Sequence, residues 1–381
     1  MAAPEITFLR DTRSGGAPDQ PREIAAKLDD FVSRARSSIH IAIYDFRLTD
    51  GLGDQLVATL KDLAAHGVDV RVAYDHGKPN APTPDPFGLL GGDPAPKGTH
   101  LWLEERFGPS EVRTRAVRVT SIPDARAQSE VHTEPINGTK LMHNKYVIRD
   151  VHTDAAAVWT GSTNFTNDAW TFQENNVVVV ESSALCEAYE TDFEELWVSG
   201  DIRSTGVHDD GSVGTGDDQI DYAFAPGEGT RIDSDLAALV ASARRRLKVA
   251  SMVLTSHAVL GALSDAIVHG QVPELGGVYD RTQMDSIVLQ WRQHGPNPTA
   301  DTFESVAAHL AGKRSTPYSP TSVHDFMHDK VLVSDDRVAT GSFNFSKSAT
   351  QNSENFLVLH SPALADAYSA QIDELVRTYR V

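Results

Sequence analysis

Short apolar runs and stretches of helical spacing alternate along this chain, and they do so twice in the same order. Positions 39–44 and 68–74 are nearly continuous apolar runs of strand length, the pattern of strands buried on both faces. Positions 24–35 and 52–65 carry apolar residues at helical spacing. Strands are expected again at 146–148, 158–160 and 177–180, after which Leu185, Tyr189, Phe193 and Leu196 share one helix face. The second half predicts a helix at 236–243, a strand at 247–254, a helix at 259–268 and a strand around Val278. Strands at 331–333, 338–340 and 356–359 follow, then a helix with Leu364, Tyr368, Ile372 and Leu375 on one face. Strands alternating with helices in each half predict an α/β fold, with helices on both faces of a sheet.

The letters repeat as well as the pattern. Residues 161–180 read GSTNFTNDAWTFQENNVVVV and residues 341–360 read GSFNFSKSATQNSENFLVLH, so an offset of 180 pairs Gly161 with Gly341, Asn164 with Asn344 and Glu174 with Glu354. Upstream, LMHNKYVIRD (141–150) matches FMHDKVLVSD (326–335) at an offset of 185. Two copies of one fold are expected: residues 1–198 and 222–381, joined by an exposed acidic linker at 199–221. Residues 77–96, with six prolines and four glycines, read as an irregular surface insertion within a longer added segment, 76–140.

Length and composition narrow the chemistry. A chain of 381 residues with 40% hydrophobic and 23% charged residues is globular and too long for one ordinary core. No apolar run approaches the roughly 20 residues of a membrane span. The N-terminus, MAAPEITFLRDTR, has no apolar core of a signal peptide, which predicts a cytoplasmic protein, or a secreted one if a leader has been removed. The single cysteine, Cys186, excludes an intrachain disulfide and a cysteine-rich metal site, and reads as a small core residue. The remaining histidines show no ligand spacing, so no metal and no cofactor are expected. A net charge of −19 argues against electrostatic wrapping of DNA or of an anionic membrane, although a local basic cleft survives that argument.

Each copy contains His-x-Lys-x4-Asp, then Gly-Ser-x-Asn, then a glutamate: His143, Lys145, Asp150, Ser162, Asn164 and Glu174, and again His328, Lys330, Asp335, Ser342, Asn344 and Glu354. On a strand, His and Lys two positions apart point the same way. Gly161 and Gly341, at the end of a returning strand, would allow a ligand to approach the backbone. Two units around a pseudo-twofold would gather two His, two Lys and two Asn at one point. That set suits a phosphodiester: Lys145, Lys330, Asn164 and Asn344 donate to phosphate oxygens. One histidine attacks phosphorus and the other transfers protons. Glu174 and Glu354 are the expected partners of the imidazole Nδ1 atoms. Asp150 and Asp335 read as turn or ion-pair residues, and Ser162 and Ser342 as turn hydroxyls or substrate contacts.

The duplicated HxKx4D…GSxN pair resembles the phospholipase D superfamily over nearly the whole chain. The resemblance implies two similar α/β/α sandwich halves related by a pseudo-twofold, one shared active site between them, metal independence, His143 as nucleophile and His328 as acid. Because both motifs lie in one chain, a monomer is expected. The second copy looks most like small bacterial endonucleases and mitochondrial cardiolipin hydrolases, whereas fusion of two copies is the layout of phospholipases and cardiolipin synthases. The substrate readings are therefore nuclease-type hydrolysis, a phospholipase D acting on head groups, or a phosphate-binding module without catalysis.

The added segment 76–140 is charge-neutral and contains Arg113, Arg115 and Arg118 together with Phe87, Trp102 and Phe107. It is expected to form one wall of the cleft, with the arginines binding substrate and the aromatics stacking a base or lining an acyl groove. The alternative is a scaffold extension that covers a sheet edge.

Overall fold

The computed structural model describes residues 3–76, 98–118, 140–293, 295–319 and 322–380. In the first half, in chain order, the strands are β1 (Glu5–Leu9), β2 (Ser38–Ile43), β3 (Phe46–Arg47), β4 (Asp69–Asp75), β5 (Arg113–Val117), β6 (Lys145–Arg149), β7 (Ala157–Gly161), β8 (Phe165–Thr166) and β9 (Asn175–Glu181). The helices are α1 (Gln20–Ser33), α2 (Asp54–Ala65), α3 (Thr99–Phe107), α4 (Asn167–Thr171) and α5 (Ser183–Ser199). The second half holds β10 (Asp210–Val213), β11 (Ile220–Ala225), β12 (Arg246–Ser251), β13 (Glu274–Asp280), β14 (Ala311–Lys313), β15 (Lys330–Ser334), β16 (Arg337–Gly341) and β17 (Glu354–His360). Its helices are α6 (Gly229–Ser242), α7 (His257–Val268), α8 (Arg281–Arg292), α9 (Pro298–Ala307) and α10 (Pro362–Tyr379).

The two main sheets have matching orders, β1-β9-β7-β6-β2-β4-β5 and β10-β11-β17-β16-β15-β12-β13-β14. In each, three parallel strands (β2, β4 and β5; β12, β13 and β14) adjoin a run of antiparallel ones. Continuous apolar strands need cover on both faces, and the cores supply it. One cluster packs the outer face of the first sheet with residues of α1, α2 and α3; another packs the outer face of the second with residues of α6, α7, α8 and α9. The third lies between the sheets and takes Leu185, Tyr189, Phe193 and Leu196 from α5 with Tyr368, Ile372 and Leu375 from α10. The heptad-like faces read from the sequence thus meet in the middle of the molecule. Both central helices start at a serine cap: Ser182 Oγ accepts from Leu185 N, and Ser361 Oγ from Leu364 N. Cys186 is fully buried in this central core.

The stretch 199–221, expected as an exposed linker, is more than that. It supplies β10 at the sheet edge and the start of β11, and it buries Ile202 and Thr205. The edge strand β1, its second-half counterpart β11 and the helices α8 and α9 have no periodicity strong enough to be read from the sequence. Among the described residues no helix is long and apolar enough to cross a membrane.

Candidate active site

Each His-x-Lys segment is clamped by the opposite half. His143 N donates to Ser353 O at 2.7 Å and Ser353 N to Leu141 O at 2.9 Å. Reciprocally, His328 N donates to Glu174 O at 3.1 Å and Glu174 N to Phe326 O at 3.3 Å. Two carboxylates hold the residue just before each histidine. Asp75 Oδ2 accepts from Met142 N at 2.8 Å, and Asp280 Oδ2 from Met327 N at 2.9 Å. These aspartates end β4 and β13 and were missed in the sequence. The signal was present: a Tyr-Asp pair closes both strands, Tyr74-Asp75 and Tyr279-Asp280.

The histidines are 5% and 7% exposed, and their supports differ. His143 Nδ1 lies 2.8 Å from Glu354 Oε2, as expected. His328 Nδ1 lies 2.9 Å from Asn175 Oδ1, not from Glu174. Glu174 faces away, bonded to Lys313 Nζ at 2.6 Å and to the Tyr379 hydroxyl. The reason is register. Gly161 pairs with Val177 but Gly341 pairs with Phe356, and Leu9 pairs with Asn175 where Ala225 pairs with Glu354. Asn175 is therefore the structural counterpart of Glu354, at an offset of 179 rather than 180. The first copy has one more residue between its Gly-Ser and its last strand, in the turn that forms α4, where the second copy has a single 3₁₀ turn at Ala349–Gln351. One residue of slip along a strand exchanges faces, so Glu174 turns from the site and Asn175 turns in.

Lys145 and Lys330 are buried, and each donates back to the carbonyl of its own histidine, at 2.8 and 2.6 Å. The four groups are near enough to perturb one another. Burial, then Lys145 and Lys330, hold His143 well below its ordinary value; burial, then Lys330, Lys145 and His143, do the same to His328. Burial holds Lys145 well below its ordinary value and brings Lys330 down to about 7. Glu354 is pushed up to about 8 by burial, against the pull of Lys145 and of hydrogen bonds from Ser342 and Asn352. Such a cluster favours an anion, which would restore the positive charge on lysine and imidazole. Asn164 and Asn344, two residues after Ser162 and Ser342, are half-buried, each with its Oδ1 unbonded.

Several expectations change. Ser162 and Ser342 are fully buried and do not face a substrate. Ser162 Oγ donates to Asn175 Oδ1 at 2.8 Å and Ser342 Oγ to Glu354 Oε2 at 2.5 Å, so each steadies the group behind a histidine. Gly161 and Gly341, at φ 136° and 137°, face no ligand: a Cβ would strike the carbonyl oxygens of Asn176 and Asn355 on the neighbouring strand. Asp150 and Asp335 form the turns after β6 and β15 and accept from the backbone amides of residues 36–38 and 244–246. The extra residues of the first copy lie in the β6–β7 hairpin, at the far end of the strand from Lys145.

The arginines of the added segment do not form a wall beside the histidines. Arg113 pairs with Asp69 and lies over Trp197. Arg115 Nη2 caps the end of α5 at Val198 O, 3.1 Å away. Arg118 pairs through its backbone with Asp201. Trp102 and Phe107 belong to the outer core of the first half, and Phe87 lies outside the described residues. A cavity of about 950 Å³, lined by Arg115, Arg118 and Arg203, opens at this sheet edge, with β2 and β4 between it and β6. As for metals, His40, Glu190 and Glu194 converge, but His40 is bonded to Glu190 and Asp69, and Glu194 to Arg71.

Comparison with known proteins agrees with this architecture. A family model described as cardiolipin synthase, PLD-like domain, matches residues 28–197 and 236–376. The crystal structure of phosphatidylserine synthase from Haemophilus influenzae covers 98% of this chain and 86% of its own, at 11% identity and a TM-score of 0.62. Polyphosphate kinase from Porphyromonas gingivalis covers 98% of this chain but only 47% of its own, at 11% identity and a TM-score of 0.58. Both show the shared fold. Nuc, a phospholipase D family member from Salmonella typhimurium, aligns with 41% of this chain and 91% of its own at 24% identity and a TM-score of 0.31. No curated protein matches the sequence.

Proposed function

The chain belongs to the phospholipase D superfamily, and from that premise we propose that it is a metal-independent phosphodiesterase working through a covalent phosphohistidine, with nucleic acid as its preferred substrate class. One observation carries the proposal: two interlocked His-x-Lys segments set both imidazoles, with Nδ1 engaged, beside two buried lysines. The Nε2 lone pair of His143 attacks phosphorus. The bond to the leaving oxygen breaks, and that oxygen takes the electron pair and a proton from Nε2 of His328. Water then gives its proton to His328 and attacks phosphorus, and the P–N pair returns to His143. Lys145, Lys330, Asn164 and Asn344 stabilise the charge on the non-bridging oxygens.

Support for nucleic acid comes from the second motif, GSFNFSKSATQNSEN, and from the site's margin. Lys140, three residues before His143, is held below its ordinary value by burial and by Lys347, three residues after Asn344. Two lysines gathered against their own repulsion suit a substrate with a second phosphate. A second reading, transfer or hydrolysis at phospholipid head groups, is favoured by the match to the cardiolipin synthase model.

Parallel assays on single-stranded DNA, RNA, phosphatidylcholine and bis(p-nitrophenyl) phosphate in excess chelator test the proposal. Turnover of the small ester with chelator present is expected, and His143→Asn or His328→Asn should each cost ~10²–10⁴ in rate. Activity abolished by chelation and restored by a divalent ion would sink the two-histidine mechanism. Turnover of phosphatidylcholine without cleavage of DNA or RNA would replace the nuclease reading with the lipid one.

A further inference from the structure

The two histidines share a place two residues before a strand's first lysine and a serine beneath their supports, yet one leans on a carboxyl group and the other on an amide. We propose that Asn175 is the residue that positions His328, holding its ring in the tautomer that transfers protons through Nε2. The proposal rests on the phosphodiesterase reading above and adds a positioning residue to it.

The orientation of the Asn175 amide follows from its surroundings. Its Nδ2 donates to Ala169 O and to Gln173 Oε1, both at 3.2 Å. Turning the amide over would set its oxygen against those two acceptors. Oδ1 therefore faces Ser162 Oγ, which donates to it at 2.8 Å, and His328 Nδ1 at 2.9 Å. An acceptor at that place requires a proton on Nδ1. Neutral His328 thus keeps its lone pair on Nε2, and protonated His328 carries there the hydrogen to be given away.

Charge separates the histidines. When Nε2 of His143 bonds phosphorus, its ring becomes cationic, with Nδ1–H still directed at Glu354. The cationic ring favours ionisation of Glu354, whose carboxyl burial otherwise holds up at about 8, and the carboxylate so formed stabilises the cation directly. Among the described residues His328 has no such partner. The groups acting on it are Lys330, just after it, and Lys145 and His143 from the first half, all cationic or neutral, and the Ser162 backbone, which is matched at His143 by Ser342. The acids next to His328 and Asn175 in sequence turn elsewhere: Asp329 accepts from Asn176 at 2.8 Å, and Glu174 from Lys313. Imidazolium at 328 is weakly held, which suits a group that surrenders its proton to a leaving oxygen and retakes one from water. The same weak hold would make it a poor site for a lasting phosphoimidazolium.

The test compares Asn175→Asp and Asn175→Ala in the full chain, with a dinucleotide and with bis(p-nitrophenyl) phosphate. Asn175→Asp keeps the shape and adds a carboxylate behind His328. The basic limb of kcat/KM on the dinucleotide should then move up by about 1–2 pH units, since the acid form survives to higher pH. Asn175→Ala should lower kcat on the dinucleotide about tenfold to a hundredfold with KM little changed. On bis(p-nitrophenyl) phosphate it should give a burst of one nitrophenolate per enzyme and then slow turnover. That leaving group needs no acid, while hydrolysis of the phosphohistidine still needs His328. Acid-quenched label should lie on His143 throughout. An unmoved basic limb in Asn175→Asp, or label on His328, would overturn the role of Asn175 while leaving the site reading intact, provided the histidine variants are inactive. Activity that survives both histidine substitutions would overturn both.

Discussion

Lys313, from the second half, places its ammonium 2.6 Å from the Glu174 carboxylate of the first, and both side chains are buried. Around this pair stand Asp11, 3.4 Å from the same ammonium, and the Tyr379 hydroxyl, so the pair joins the N-terminal segment, both sheets and the last helix. Burial raises the Glu174 pKa, with Lys313 pulling it down. Removing one partner leaves an unpaired buried charge. Lys313→Met should cost about 3–5 kcal/mol in denaturant unfolding, and adding Glu174→Gln should recover a large part of it. Independent, additive losses would show that the two groups are not coupled.

Binding of an anion should take up a proton. Burial brings Lys330 down to about 7, so at about pH 8 it is largely neutral, and an anionic phosphodiester beside it favours the ammonium. Calorimetry of diethyl phosphate binding in buffers of different ionisation enthalpy should show net uptake at about pH 8, shrinking toward about pH 6. The probe itself does not titrate in this range. Uptake unchanged in Lys330→Met would assign the proton to another group.

Arg115 should matter for stability and not for substrate choice. Its contact is with the last turn of α5, where a guanidinium satisfies a free carbonyl. Arg115→Ala is expected to cost about 1 kcal/mol and to leave kcat/KM unchanged on both DNA and bis(p-nitrophenyl) phosphate. A selective rise in KM for DNA would return this arginine to the substrate cleft.

Asp150 should act through the fold alone. Burial pushes its carboxyl up, but amides from Ser37, Arg36 and Ser38 hold it below the ordinary value. Its stabilisation is therefore fully present above the unfolded value of about 3.9 and is lost as pH falls through the lower folded value. Asp150→Ala should cost about 2–4 kcal/mol at neutral pH, because buried amides lose their acceptor. The gap from the unsubstituted protein should narrow in acid. Equal specific activity per folded molecule is expected, and a selective loss of kcat would place Asp150 in the chemistry.

The sequence by itself determined the two-copy α/β architecture, because buried strands and the helices covering them must carry apolar residues at periods that two copies repeat alike. It also marked His143, Lys145, His328 and Lys330, since a fixed spacing of two along a strand needs no knowledge of the rest of the molecule. Asp150 and Asp335 were legible as turn residues for the same local reason. What the tertiary structure alone decided depends on neighbours distant in sequence. Arg115 reads as a ligand for phosphate until the end of α5 is seen beside it. Glu174 aligns with Glu354 letter for letter, and an extra residue in a turn is invisible to that alignment. On a strand, however, one residue is the difference between two faces. Pairing with β1 and β7 sets the count at Asn175, sends Glu174 to Lys313 and gives His328 an amide in place of an acid.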